Sequence, residues 1–192
     1  MALTLDLIRG PRLDLILLSA QFLDALIAGD GSGAQKLVAF TLDDELFGSE
    51  PDDDPQFFKM RRDQVCRDAS WAPWSLRAIV LRETNAMVGC ANFHGPPGVN
   101  DTQTPGAAEV GYTIFAAHRD RGFATETAGA MFEWARREHG VTHFISGVAP
   151  DNLPSLRVNE KLGFAPTGQV ADGELIFALR LVPLESQDRQ AG

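Results

Sequence analysis

Apolar spacing changes period repeatedly along this chain, and that succession limits the fold more than any single motif does. Residues 12–18 alternate, with Leu13, Leu15 and Leu17 on one side, as a half-buried strand requires. Ser19 then stands where a helix N-cap is wanted, and helical spacing runs to about Ala28. A second helix is predicted over residues 34–47 and a third from Pro55 to about Asp68, with Gly48 and Pro51 preventing one long helix. Residues 75–82 and 87–94 read as two strands meeting at a tight turn at Thr84-Asn85, and residues 107–115 as a third. Residues 122–139 place Ala124, Ala128, Met131, Phe132 and Ala135 at helical core spacing, with Gly140 as the stop. A strand over 142–148, a helix over 152–162 ended by Gly163, and a hairpin of 164–170 with 174–181 turning at Asp172-Gly173 complete the order. That order favours an α/β (α+β) fold, a mixed sheet with helices, over an all-helical or all-β one. No repeat or linker interrupts it, so one domain is expected over residues 1–183, followed by a polar tail over 184–192.

Charge and cysteine content narrow the function classes. Among 192 residues, 17 Lys and Arg stand against 26 Asp and Glu, a net charge of −9, which argues against a broad electrostatic grip on nucleic acid or a membrane surface. Cys66 and Cys90 are too few for a disulfide scaffold, and a reduced, cytoplasmic setting is expected. The start carries Asp6 and no basic residue before an apolar stretch, unlike a signal peptide, and no run reaches membrane-spanning length. Without a secretory signal, the sequon Asn100-Asp101-Thr102 reads as a chance match in a loop.

Several chemical motifs fail on context. Residues 29–34 satisfy a loose G-x-G-x-x-A, but a helix rather than a strand precedes them, which is wrong for a dinucleotide site. Neither a G-x-x-x-x-G-K-[ST] nor a G-x-S-x-G pattern is present. His94, His118, His139 and His143 fall in separate predicted elements with no i, i+4 pair on a helix, so no metal site is expected; His94, beside a Gly-Pro loop, could line a site or lie on the surface.

One block stands out. The strand Glu109-Val110-Gly111-Tyr112 leads through His118-Arg119-Asp120-Arg121-Gly122 into a helix. A helix opened this way offers backbone N–H groups and a positive dipole end to a phosphate, with Gly122 permitting close approach and Arg119 and Arg121 adding charge. The same turn could be purely structural. After the next strand, Asn152, Ser155 and Asn159 at i, i+3, i+7 form a polar stripe on a short helix, which suits either a solvated face or hydrogen bonds to an amide-bearing ligand.

With these two blocks the sequence resembles the GNAT superfamily of acyl-CoA-dependent N-acetyltransferases. The signature R/Q-x-x-G-x-G/A is met by Arg119, Gly122 and Ala124, and the later pattern by Asn152, Ser155 and the run Glu160-Lys161-Leu162-Gly163-Phe164. Glu109-Val110-Gly111-Tyr112 and residues 157–164 look most like the branch of ribosomal-protein alanine N-acetyltransferases. The resemblance covers about residues 74–181. It implies a mostly antiparallel central sheet whose strands splay at the acyl-CoA site, and transfer of an acetyl group from acetyl-CoA to a primary amine, on a protein N-terminus or a small molecule. It further implies a cofactor-binding set of Ile114, Phe115, Arg119, Arg121, Gly122, Phe123, Ala124, Thr125, Asn152, Ser155 and Asn159. Many members place a Tyr directly before the Glu-Lys pair to protonate the leaving thiolate; here that position is Asn159, and the resemblance implies Ser155 as the substitute donor.

Glu109 would accept the amine proton if partial burial raises its pKa; the alternative is a structural pairing with an Arg or a backbone donor. Acetyl-CoA and an amine acceptor are the partners expected, with no metal, and the protein as a monomer or homodimer. A non-catalytic GNAT-fold module that senses or scaffolds acyl-CoA is the competing class. Seven acids, Asp43, Asp44, Glu45, Glu50, Asp52, Asp53 and Asp54, lie where the family shapes its acceptor entrance; they could favour a cationic amine or simply be a solvated loop.

Overall fold

The computed structural model describes residues 7–47 and 55–184. Eight strands are hydrogen-bonded in the order β1-β2-β3-β4-β5-β6-β8-β7, with β1 Leu7–Arg9, β2 Leu13–Leu17, β3 Arg77–Leu81, β4 Ala86–Phe93, β5 Ala108–Ile114, β6 His143–Val148, β7 Ala165–Ala171 and β8 Glu174–Arg180. The helices are α1 Ala20–Ile27, α2 Gly31–Lys36, α3 Pro55–Arg67, α4 Phe123–His139 and α5 Leu153–Leu162. The mixed, mostly antiparallel sheet with helices expected from the sequence is present. The described residues fall into two compact units, one of residues 7–47, 55–92 and 112–123, the other of 93–111 and 124–184.

In the first unit β1 to β4 form an antiparallel meander. Leu13 and Leu15 on β2 are fully buried, as their alternation requires. Ser19 caps α1 by accepting from Phe22 N–H at 3.1 Å, and Phe22, Leu23 and Leu26 enter a core with Phe40, Leu46, Phe58, Leu76, Val80 and Phe115. Gly89 on β4 lies under β5: a Cβ there would stand 2.1 Å from Thr113 O, so the close approach of the two backbones admits only glycine.

The helix expected over residues 34–47 is a correction. Asp30 caps Gly33 N–H at 2.8 Å and α2 ends at Lys36. The chain then turns, because Gln35 bonds Phe40 O and Leu42 N–H through its side chain. Thr41 donates to Asn85 O and accepts from Met87 N–H, and a short 3₁₀ turn, Asp44–Phe47, follows. Strand β1 is an element the sequence reading lacked. The other expected elements fall within a residue or two of their places.

In the second unit β5 runs parallel to β6, while β6, β8 and β7 pair antiparallel. Ala128, Met131, Phe132 and Ala135 of α4 are buried, and the Phe132 ring packs against Phe144 at 4.4 Å and Phe164 at 5.6 Å. Gly163 closes α5 in the left-handed region at φ +82°, and the final hairpin turns at Asp172-Gly173 with both residues at positive φ. Of the tail expected over 184–192, residues 185–192 lie outside the described residues, as do Glu50, Asp52, Asp53 and Asp54. Among the described residues no helix is long and apolar enough to cross a membrane.

Candidate functional site

The second unit assembles its most unusual chemistry around Glu109. Strand β4 ends at Phe93, and His94 N–H donates to Glu109 O at 2.8 Å, so the two chain segments are joined where the loop 95–106 departs and returns. Asn100, 8% exposed, braces that loop: its Nδ2 donates to Thr104 O and Ala107 O, and its Oδ1 accepts from Thr104 N–H and the Thr102 hydroxyl. The amide of the sequon is thus engaged internally. The braced loop aims Asp101 N–H at Glu109 Oε2, 2.7 Å away. His94 Nδ1 lies 3.4 Å from the same carboxylate oxygen and 3.3 Å from Asp101 Oδ1.

Glu109 is 1% exposed. Burial pushes its carboxyl above the ordinary value of 4.5, while the Asp101 N–H, the nearby His94 charge and the Gly147 N–H pull the other way and the Asp101 charge adds to the rise. The backbone pairing weighed for Glu109 is therefore real, yet it does not cancel desolvation. Gly147 on β6 leaves the room: a Cβ there would stand 2.3 Å from Glu174 Oε2 and 3.4 Å from Glu109 Oε1. Glu174, at the start of β8, is a second carboxylate that the sequence reading did not single out. His94, Asp101 and Glu109 bring a nitrogen and two carboxylate oxygens within 4.8 Å of one another. Histidine spacing alone could not reveal it, since the three come from a strand end, a loop and the next strand.

On α5 of the same unit, Asn152 is the N-cap and accepts from Ser155 N–H at 3.2 Å. Ser155 is half-buried, and Asn159 is 3% exposed with its Nδ2 lacking a hydrogen-bond partner among the described residues. The stripe Asn152, Ser155, Asn159 thus descends from the surface inward and is not a solvated face. A buried donor without an acceptor costs about 1–3 kcal/mol, which a polar ligand group could offset.

In the first unit, β5 ends at Ile114, whose carbonyl accepts from Arg119 Nε at 2.9 Å, and Phe115 is 1% exposed in the core. Ala116 N–H donates to both Glu45 carboxylate oxygens, at 2.9 and 2.7 Å, and Arg119 lies 3.8 Å from Glu45. Gly122, at φ +79°, turns the chain into α4. The guanidinium groups of Arg121 and Arg12 sit 5.0 and 4.7 Å from the Phe123 ring centroid, and Arg12 donates to Arg121 O. Arg12 is a cation of this turn that the sequence reading placed only in a strand. The N–H groups of the first turn of α4, Phe123 to Glu126, have no acceptor within the helix. Of the seven acids, Glu45 and Asp43 face this turn, Asp43 at 3.9 Å from His118.

Residues 34–165 match the family model of the acetyltransferase (GNAT) domain. The chain belongs to the GNAT acetyltransferase family. An uncharacterized N-acetyltransferase of Bacillus subtilis (strain 168), YjdG, is 33% identical to this GNAT chain over 86 residues, 45% of this chain and 48% of that protein. The chain thus spans about half the length of the curated relatives it matches. An acetyltransferase structure from Agrobacterium tumefaciens superposes with a TM-score of 0.60 at 21% identity, covering 94% of this chain and 98% of that one. The ribosomal L7/L12 α-N-protein acetyltransferase RimL, in complex with coenzyme A, gives 0.59 at 16% identity, covering 91% and 98%. Both superpositions establish a shared GNAT fold.

Proposed function

We propose that this GNAT domain transfers an acetyl group from acetyl-CoA to a primary amine. The observation that carries the reading is Glu109: a carboxylate 1% exposed, with its proton affinity raised by burial, beside an imidazole. Such a group holds a proton more readily than a solvated carboxylate. The Arg119 to Thr125 turn, with Gly122 at positive φ and the α4 N-terminus behind it, suits the pyrophosphate of the substrate. On α5 the unpartnered Asn159 amide is a donor available to an amide-bearing substrate arm, and Ser155 offers a hydroxyl to the departing sulfur.

Acetyl-CoA supplies an activated thioester. Glu109 takes one proton from the ammonium, which frees the nitrogen lone pair for attack on the thioester carbon; as the C–S bond breaks, Ser155 hydrogen-bonds the thiolate, which takes up the second proton lost by the new amide nitrogen. Much of the acceleration in such a reaction comes from holding amine and thioester together.

The test is acetyl-CoA consumption with a panel of N-terminal peptides, polyamines and aminoglycosides, with products identified by mass spectrometry. Glu109→Gln is expected to lower kcat roughly 100-fold or more while leaving acetyl-CoA affinity intact, and Ser155→Ala to lower it roughly tenfold. Saturable acetyl-CoA binding with no product from any amine would instead identify an acyl-CoA-binding sensor.

A further inference from the structure

A base that takes up one proton per turnover must release it before the next. Glu109 is poorly placed to do so alone, because its side chain is 1% exposed and the loop backbone covers it at Asp101. The groups around it form a gradient toward solvent: His94 is 32% exposed and Asp101 40%. The titratable groups facing Glu109 are His94 from the end of β4, Asp101 from the loop and Glu174 from β8 across Gly147. Of these only His94 offers a neutral nitrogen base at one ring atom and a proton to release from the other.

We propose that His94 is a positioning residue that carries the proton from Glu109 to solvent and resets the base between turnovers. The inference rests on Glu109 being the base. In the Nε2–H tautomer, the Nδ1 lone pair of His94 accepts the proton from the Glu109 carboxyl across the 3.4 Å contact, leaving a carboxylate and an imidazolium. The imidazolium is held by Asp101 Oδ1 at 3.3 Å and then loses one proton to water or buffer, which returns both side chains to their starting charge. The loop 95–106, braced by Asn100, keeps Asp101 in place for this.

His94→Gln preserves polarity but cannot relay. Its kcat for amine acetylation is expected to fall about tenfold, less than the loss on removing the base itself, with the KM for acetyl-CoA unchanged. Added imidazole should restore the variant in a concentration-dependent way and leave the parent unaffected. A second measurement separates a relay from a structural role: the solvent deuterium isotope effect on kcat, which should be larger in His94→Gln than in the parent because proton release then limits turnover. A His94→Gln enzyme with parental kcat across pH and no response to imidazole, or a solvent isotope effect identical in both proteins, would overturn the relay. Full activity in Glu109→Gln would instead overturn the assignment of the base, so the two failures are distinguishable.

Discussion

At Glu109 two demands oppose each other, and their balance can be measured as stability. Burial disfavours the ionised carboxylate, whereas the Asp101 N–H and His94 favour it, and burial prevails. A carboxyl whose folded pKa is raised above 4.5 binds its proton more tightly in the folded state than in the unfolded one. Its contribution is therefore fully present below the unfolded pKa and is lost as pH rises through the folded value. Glutamine carries no such penalty and keeps an oxygen for the Asp101 N–H. Glu109→Gln should thus match the parent near pH 4 and gain on it in melting temperature as pH climbs toward neutrality, read by parallel thermal melts. A parent that gains on the variant over that range would mean the partners outweigh desolvation.

At the scale of elements, the Asn100 side chain makes four of the hydrogen bonds that hold the loop 95–106. Asn100→Asp keeps the acceptor facing Thr104 N–H but replaces the amide donor with a carboxylate oxygen facing the carbonyls of Thr104 and Ala107. A loss of about 1–3 kcal/mol is expected from urea unfolding, with faster hydrogen exchange at Asp101; an unchanged midpoint would deny the loop its brace. This loop also marks the boundary of what could be read from sequence. Helices α1, α3, α4 and α5 were legible because their caps and apolar spacing are local, as Ser19 and Gly163 illustrate. The helix expected over 34–47 failed because Thr41 bonds to Asn85 and Met87, a pairing set by tertiary structure. Strand β1 escaped because three residues carry too little alternation and depend on pairing with β2. Glu109 and the Arg119 turn were visible as residue types. The His94 and Asp101 contacts were not, since they depend on a loop conformation with Gly98, Gln103 and Gly106 at positive φ.

For the whole molecule, a net charge of −9 opposes the approach of an anionic substrate, so binding acyl-CoA must rely on local groups rather than the overall field. On the proposed reading Arg12, Arg119, Arg121 and the N-terminus of α4 would be those groups, and the reach of such charges in physiological salt is only about 8 Å. Ligand that binds the folded state alone stabilises it by about 2.7 kcal/mol at 100 times Kd, so CoA should raise the melting temperature of the parent. Gly122 permits a controlled test of the electrostatic part. At φ +79° any side chain is strained, but a Cβ would meet nothing closer than the Arg12 guanidinium at 3.7 Å, so alanine and glutamate share the same backbone strain and differ in length and charge. Gly122→Ala should lower the baseline melting temperature and keep most of the CoA-induced rise. Gly122→Glu should lose that rise, because its carboxylate offsets the local cations where the pyrophosphate would sit. Equal CoA-induced rises in the two variants would remove the Arg119 to Thr125 turn from the binding site.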